Sequence, residues 1–419
     1  MNRPPFFYGW VIVVMTFLVQ FLVMGSGFYI FGVLLKPLTE ALGTDRFLVS
    51  IGISLQMVTS AAIGPWLGGA IGRYDIRLLL TAGVLLMAIG LAGVSFATAL
   101  WHFYLAFSLV LSAGFALAGP VPNAALIANW FVVRRGTAMG FSQLGVTLSG
   151  ALLVPLFTWL MLAYDWRVAL QFFAVAMPLV AMPVIWFGVV KTPEESGLHP
   201  DGSDHPIAME GGETTTWTMR RAIGDIRVWQ IVLVIGPGFV GVSAVVLSIH
   251  SHLTDGGLTA MSASAVVAAM TLMGALAKPL FGVLTDMFNK KLVMLLSIVL
   301  MILGVGGLIL LESYTALLVA AGMFGLGYGA QMPLFNILTA TMFGRSEFAA
   351  VLGLMMPMML PFNLLGLPLT TLIYESMGSY LPAYTGLIVL YVFAASCLFF
   401  LRLPKSTTVP AADTESDPA

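Results

Sequence analysis

The sequence predicts an all-α membrane protein whose twelve transmembrane helices form two pseudo-symmetric six-helix bundles. Three observations lead there. The 419 residues are 59% hydrophobic and only 9% charged, whereas roughly a quarter of a soluble domain is charged. Apolar runs long enough to cross about 30 Å of hydrocarbon recur between charged residues. The third is an internal repeat that pairs the two halves of the chain.

The runs fall at 8–35, 47–71, 78–98, 101–130, 137–163, 168–190, 228–252, 259–285, 292–311, 314–342, 348–373 and 380–402. The first follows Arg3, but it exceeds the roughly 7–15 residues of a signal-peptide core and lacks a small-residue cleavage site, so it is expected to be retained. Runs two to six are set off by Lys36 and Arg46, Arg73 and Arg77, a short 99–100 joint, Arg134 and Arg135, then Asp165 and Arg167. In the second half Asp255, Asp286 with Lys290 and Lys291, Glu312, Arg345 and Glu375 do the same. The domains expected are a bundle at 1–190, a linker at 191–227, a second bundle at 228–403 and a flexible tail at 404–419.

The linker opens with "KTPEESGLHPDGSDHPIAMEGGE", acidic and rich in Pro and Gly, which predicts a flexible connector. "TTTWTMRRAIGDIRVW" follows, and reads either as a short surface helix with Trp217 and Ile223 turned to lipid or as a solvated connector. Orientation follows from the basic residues. Arg3, Arg73, Arg77, Arg134, Arg135, Lys191, Arg220, Arg221, Arg227, Lys290, Lys291, Arg345, Arg402 and Lys405 share the side of the termini, against Lys36, Arg46 and Arg167 on the other. Both termini are therefore expected in the cytoplasm of a multi-pass protein of the cell membrane.

The repeat is specific. "GPWLGGAIGRYDIR" (64–77) superimposes on "KPLFGVLTDMFNKK" (278–291), matching Pro65 with Pro279, Gly68 with Gly282 and Arg77 with Lys291. A second match pairs Gly114, Pro122 and Arg134 with Gly325, Pro333 and Arg345.

Several function classes are excluded. The lone Cys397 allows no intrachain disulfide or thiolate cluster, and the scattered histidines, His250 and His252 included, make no metal motif. A net charge of −1 without a basic aromatic stripe gives no nucleic-acid surface. No nucleophile elbow, zinc-protease motif or P-loop is present, so neither an enzyme, an ATP-driven pump nor a cofactor is expected.

Lys278 stands inside the eighth run, beside Pro279. A charge at mid-membrane costs roughly 3 kcal/mol or more, so such a lysine faces a protein interior or a wet cavity. None of the 19 acidic residues falls securely inside a run, and Asp286 is about 12 Å along the helix. Two readings stand at this point: the ammonium waits for an anionic substrate at a helix locally broken by Pro279, or it snorkels to the interface.

The segment around Gly282, Asp286, Lys290 and Lys291 resembles the loop signature of the major facilitator superfamily, with Asn289 in place of its glycine. The first copy keeps Gly68, Arg73 and Arg77 but has Gly72 for the aspartate and Asp75 for the glycine. The resemblance implies that these residues, with Arg134 and Arg135, gate the cytoplasmic face. The opening "YGWVIVVMTFLVQF", the stretch "PNAALIANWFVVRRGTAMGFSQLG", Asp165-Trp166-Arg167 and Lys278-Pro279 resemble the monocarboxylate transporter and oxalate/formate antiporter branch. Tyr29 occupies the place of a lysine of its animal members, and Gly274 that of an acidic residue one turn before the eighth-helix cation, so their proton coupling is not carried over.

That resemblance assigns the central cavity to the helices that hold Tyr29, Asn123, Gln143, Tyr328, Gln331 and Asn363. With Lys278 these are the candidate substrate-binding residues, although an interhelical hydrogen bond explains any one of them equally well. Pro357, Pro361 and Pro368 give the eleventh run the makings of a bent gating helix, with Pro361 at its centre. The function expected is secondary transport of a small organic anion, a monocarboxylate first, by alternating access, through proton symport or anion exchange. Efflux of lipophilic compounds and a transporter-like receptor are the alternatives. The partners expected are the anion, protons and the bilayer, and a monomer suffices.

Overall fold

The computed structural model describes residues 7–203 and 217–401; linker residues 204–216 and the tail at 404–419 lie outside them. The first six crossings are α1 (Gly9–Leu42), α2 (Arg46–Arg73), α3 (Ile76–Ser95), α4 (Leu100–Trp130), α5 (Arg135–Ala163) and α6 (Trp166–Gly188). The next three are α7 (Ile226–Asp255), α8 (Ala260–Met287) and α9 (Lys290–Leu310). A helical stretch beginning at Tyr314 then turns back at Gly344, which divides it into α10 and an α11 that ends at Met377. The chain closes with α12 (Leu381–Phe400). An even number of crossings puts both ends of the described chain on one side, here called the terminal face.

Polar residues at the breaks between the apolar runs begin helices. Asp75, Asp165, Asp225 and Asn289 each accept the backbone N–H two residues on, and Thr259 accepts that of Ser262, which fixes the starts of α3, α6, α7, α9 and α8. The Trp166-Arg167 pair ties α6 to α3: the Arg167 guanidinium lies 4.4 Å from the Trp166 ring and donates to the Ser95 and Ala97 carbonyls at the end of α3. Two crossings are irregular where the site will lie. A π-helical turn, Gly25–Tyr29, interrupts α1, and the Gly27 carbonyl there accepts from Gln56 Nε2 at 2.8 Å. In α4 the helix breaks at Gly119 and restarts with Pro120 at its first position.

Two expectations need correction. The helix is not broken at Pro279: α8 runs through it unbroken, because losing one N–H is tolerated inside a bundle. The short helix before α7 exists, at Met219–Gly224, and Ile223 is exposed. Trp217 does not face lipid, however; it packs edge-on against Phe343, with Arg221 over its ring.

The bundles meet along two seams built from the repeated segment. A Cβ on Gly68 of α2 would lie 2.6 Å from the Ala349 carbonyl oxygen of α11, and one on Gly64 the same distance from that of Gly353. On the partner seam a Cβ on Gly140 of α5 would sit 2.5 Å from the Lys278 carbonyl oxygen of α8, and Gly282 lies against the backbone of Gly136. Gly68 and Gly282, matched by the repeat, thus occupy equivalent positions where backbone meets backbone.

Candidate functional site

The terminal face is shut by polar contacts between the bundles. Asp286, at the end of α8, accepts from the Gly136 and Thr137 amides at 2.8 and 2.7 Å and from Thr137 Oγ1 at 2.7 Å, so its carboxylate caps the start of α5 from the opposite bundle. Arg135 crosses the other way, donating to the Ala340 carbonyl of α10 at 3.2 Å and to Phe131 and Ala128 within its own bundle. Lys290 is within electrostatic range of Asp286, and Asn289 caps the Lys291 amide. The Arg134 amide donates to Asp201, whose carboxylate also receives the Val132 and Val133 amides.

The first repeat copy does not latch the bundles. Arg73 is exposed at the end of α2, and Arg77 Nε donates to the Val189 carbonyl at 2.5 Å, inside its own half. Gly72 supplies no carboxylate. Glu194 of the linker does so instead, in a two-pronged pair with Arg345 at 2.7 and 2.8 Å. The hydrogen bonds from Arg345 hold the Glu194 carboxyl well below its usual range, at about 2. With the value lowered, the pair is intact above the ordinary carboxylate range and is lost only as pH falls from about 4.5 towards 2. Glu194 is therefore no proton carrier near neutrality. Glu194→Gln is expected to speed opening of the terminal face by about fivefold, the size of a good surface pair, with no change in the pH profile of transport between 6 and 8; a shifted profile would contradict this.

Lys278 Nζ donates to Thr147 Oγ1 at 2.6 Å and to the Gln143 carbonyl at 3.3 Å, both on α5 of the opposite bundle. Thr147 lies twelve residues beyond Arg135, about 18 Å into the membrane. The side chain leans away from the terminal face, towards mid-depth, as helical side chains lean towards their own N-terminus. This geometry is the opposite of snorkelling. Among the described residues no carboxylate lies within ion-pair distance of Lys278, and both of its acceptors are neutral.

The two tyrosines flank this group. Tyr29, at the end of the π turn in α1, lays its ring on Gly150, with ring carbons 3.1 Å from where a Cβ would stand. The hydroxyl of Tyr328 of α10 lies 2.6 Å from a Cβ position on Gly274, one turn before Lys278. The two phenols are close enough to interact electrostatically across the halves. Lys278, Thr147, Tyr29 and Tyr328 thus form one cluster between the bundles.

The other candidates are placed differently. Asn123 donates to the Ala118 and Gly119 carbonyls and so secures the break in α4. Gln331 donates to Ser297 and Met301 within the second bundle. Asn363 bonds back to Met359 of its own helix, and Pro361 is exposed on a helix whose only non-helical backbone is at Gly344. Gln143 gives its carbonyl to Lys278 and its flank to a crevice shared with Gln20, Ser142 and Asn336. Sequence reasoning missed Thr147, Gln20, Asn336, Glu194 and Asp201. For the two amides the signal was there, since both stand in apolar runs; the other three look like ordinary helix or linker residues.

Two repeat-related bundles, shut at one face and enclosing a mid-membrane polar cluster, are the architecture of a membrane transporter. The family model described as Major Facilitator Superfamily matches residues 16–275 and 231–418. The chain belongs to that superfamily, and it resembles the monocarboxylate transporter branch. It is 26% identical to monocarboxylate transporter 13 of Rattus norvegicus over 97% of this chain and 95% of the relative. It is also 26% identical to monocarboxylate transporter 11 of Mus musculus, over 95% and 88%. Among solved structures the proton:xylose symporter XylE is similar with a TM-score of 0.76 at 13% identity, covering 94% of this chain and 96% of that one. The fucose:proton symporter FucP of E. coli has a TM-score of 0.70 at 12% identity, covering 94% and 100%. At such identities the solved structures speak for the fold alone.

Proposed function

We propose that this transporter moves a small carboxylate, a monocarboxylate first, across the cell membrane, with Lys278 as its electrostatic anchor and the terminal face in the cytoplasm. One observation carries the reading: an ammonium group at mid-membrane that has only neutral oxygen acceptors, both on the opposite bundle. A cation held there without a counter-ion is costly, and an incoming carboxylate both neutralises it and competes for the hydrogen bonds that Lys278 makes to α5. Occupancy is thereby coupled to the contact between the bundles. Tyr29 and Tyr328 supply neutral donors beside the charge and orient the carboxylate without adding to it. The transporters named as relatives support the same class of cargo.

The test is uptake of labelled lactate, pyruvate, formate and oxalate into proteoliposomes. Saturable uptake of at least one of them is expected. Stimulation by an inward proton gradient identifies symport, and stimulation by internal carboxylate identifies exchange. If none of the four moves while a lipophilic cationic dye does, the reading is wrong.

A further inference from the structure

Immediately on the terminal side of Lys278 lies a crevice whose polar groups are left without partners. Gln20, Ala124, Ile127, Met139, Ser142 and Gln143 line it from the first bundle, and Asn336 of α10 enters it from the second. It is too narrow to admit a water molecule. Asn336 is 1% exposed, and neither its amide nitrogen nor its oxygen has a hydrogen-bond partner. Gln20, equally buried, spends its nitrogen on Ser142 Oγ at 2.7 Å and leaves Oε1 unpaired. Gln143, whose carbonyl receives Lys278, is among the residues that line the crevice.

Each buried polar atom without a partner costs about 1–3 kcal/mol, and apolar side chains of similar shape would close the same seam without that cost. Groups kept in this condition are expected to find their partners in another conformation. The crevice lies on the seam that must part when the terminal face opens. α10 then withdraws Asn336 from α1 and α5, and the unpaired atoms come to line the exit from Lys278.

We infer that Asn336 and Gln20 form a second substrate station on the terminal side of Lys278, selective for carboxylates that bear a neighbouring hydroxyl. This rests on the carboxylate reading above. The Asn336 amide N–H donates to the carboxylate, while the single hydroxyl O–H is shared between Gln20 Oε1 and Asn336 Oδ1 in a three-centre bond. A 2-oxo acid has no such donor and leaves both acceptors unmatched, a defect that polar sites reject strongly.

The experiment measures KM for lactate and for pyruvate at each face, in proteoliposomes sorted by orientation. Asn336→Leu is expected to raise KM for lactate at the terminal face by about tenfold, the equivalent of one lost hydrogen bond to a charged group. Lactate at the opposite face should stay within about twofold, and the preference for lactate over pyruvate at the terminal face should fall. Gln20→Leu is expected to do the same and serves if Asn336→Leu does not fold. Equal changes at both faces, no change, or an unaltered lactate preference overturns the station. A wild-type protein that carries formate or oxalate but no hydroxy acid also overturns it while leaving the carboxylate reading intact; one that carries no carboxylate overturns both.

Discussion

One added methyl group at Gly282 is expected to keep the terminal face from closing and to cut transport by about tenfold or more. In Gly282→Ala the new Cβ would press on the Gly136 carbonyl and lie 3.0 Å from its carbon and 3.2 Å from Gly140 Cα. These are backbone atoms, so no side-chain rotation relieves the clash. Overpacking of this kind costs about 1–3 kcal/mol, and only the closed conformation bears it, because the parted seam has no contact there. A two-state equilibrium then shifts by roughly 5- to 150-fold towards the conformation open at that face. Cys397 is the only cysteine, so a Cys397→Ser background carrying Ala340→Cys reports the change. Ala340 is 1% exposed in the closed conformation, and an impermeant thiol reagent applied to the terminal face should label its cysteine replacement faster in the Gly282→Ala protein. Unaltered labelling together with unaltered uptake would show that the seam has slack the structure does not display.

Lys278→Gln is expected to lower uptake at sub-saturating substrate by about 10- to 100-fold, in keeping with about 1.5–3 kcal/mol for a hydrogen bond to a charged group. Glutamine keeps a donor for Thr147 while removing the charge, which separates the electrostatic role from the packing role. Lys278→Arg retains the charge but presents a planar fork on a different stem, and is expected to keep uptake within about tenfold of wild type. A glutamine variant that transports like the wild type would remove the anchor from the mechanism, whatever the cargo.

The fold was legible because its determinants are local. Asp165 was visible as a break in hydropathy and proves to be a cap, as do Asp75, Asp225 and Asn289 beside the basic residues that mark other breaks. The match of Gly68 with Gly282 needed only two aligned segments, and both glycines prove to lie on seams. Lys278 stood out because a charge in an apolar run has few places to go. What escaped was pairing between distant segments. Nothing near Gly72 announces that Glu194, from the linker, holds the opposing Arg345. Thr147 looks like any helical threonine until a lysine from another bundle bonds to it. Asn123 and Gln331 were chosen by the same rule that chose Tyr29 and Tyr328, yet their amides serve their own bundles, because hydropathy gives the depth of a residue and not the direction in which it points.

The joint at Gly344 has a mechanical consequence. With φ at 69° and ψ at −178°, a backbone shape open to glycine and strained for other residues, one residue reverses the chain where an ordinary connection takes several. No slack separates α10 from α11, so a tug on one is felt at once by the other. α11 grips α2 through Gly353 and Ala349, whereas α10 carries Tyr328 and Asn336. On the carboxylate reading, the lever for cargo and the clamp on the door are the two arms of a single hairpin.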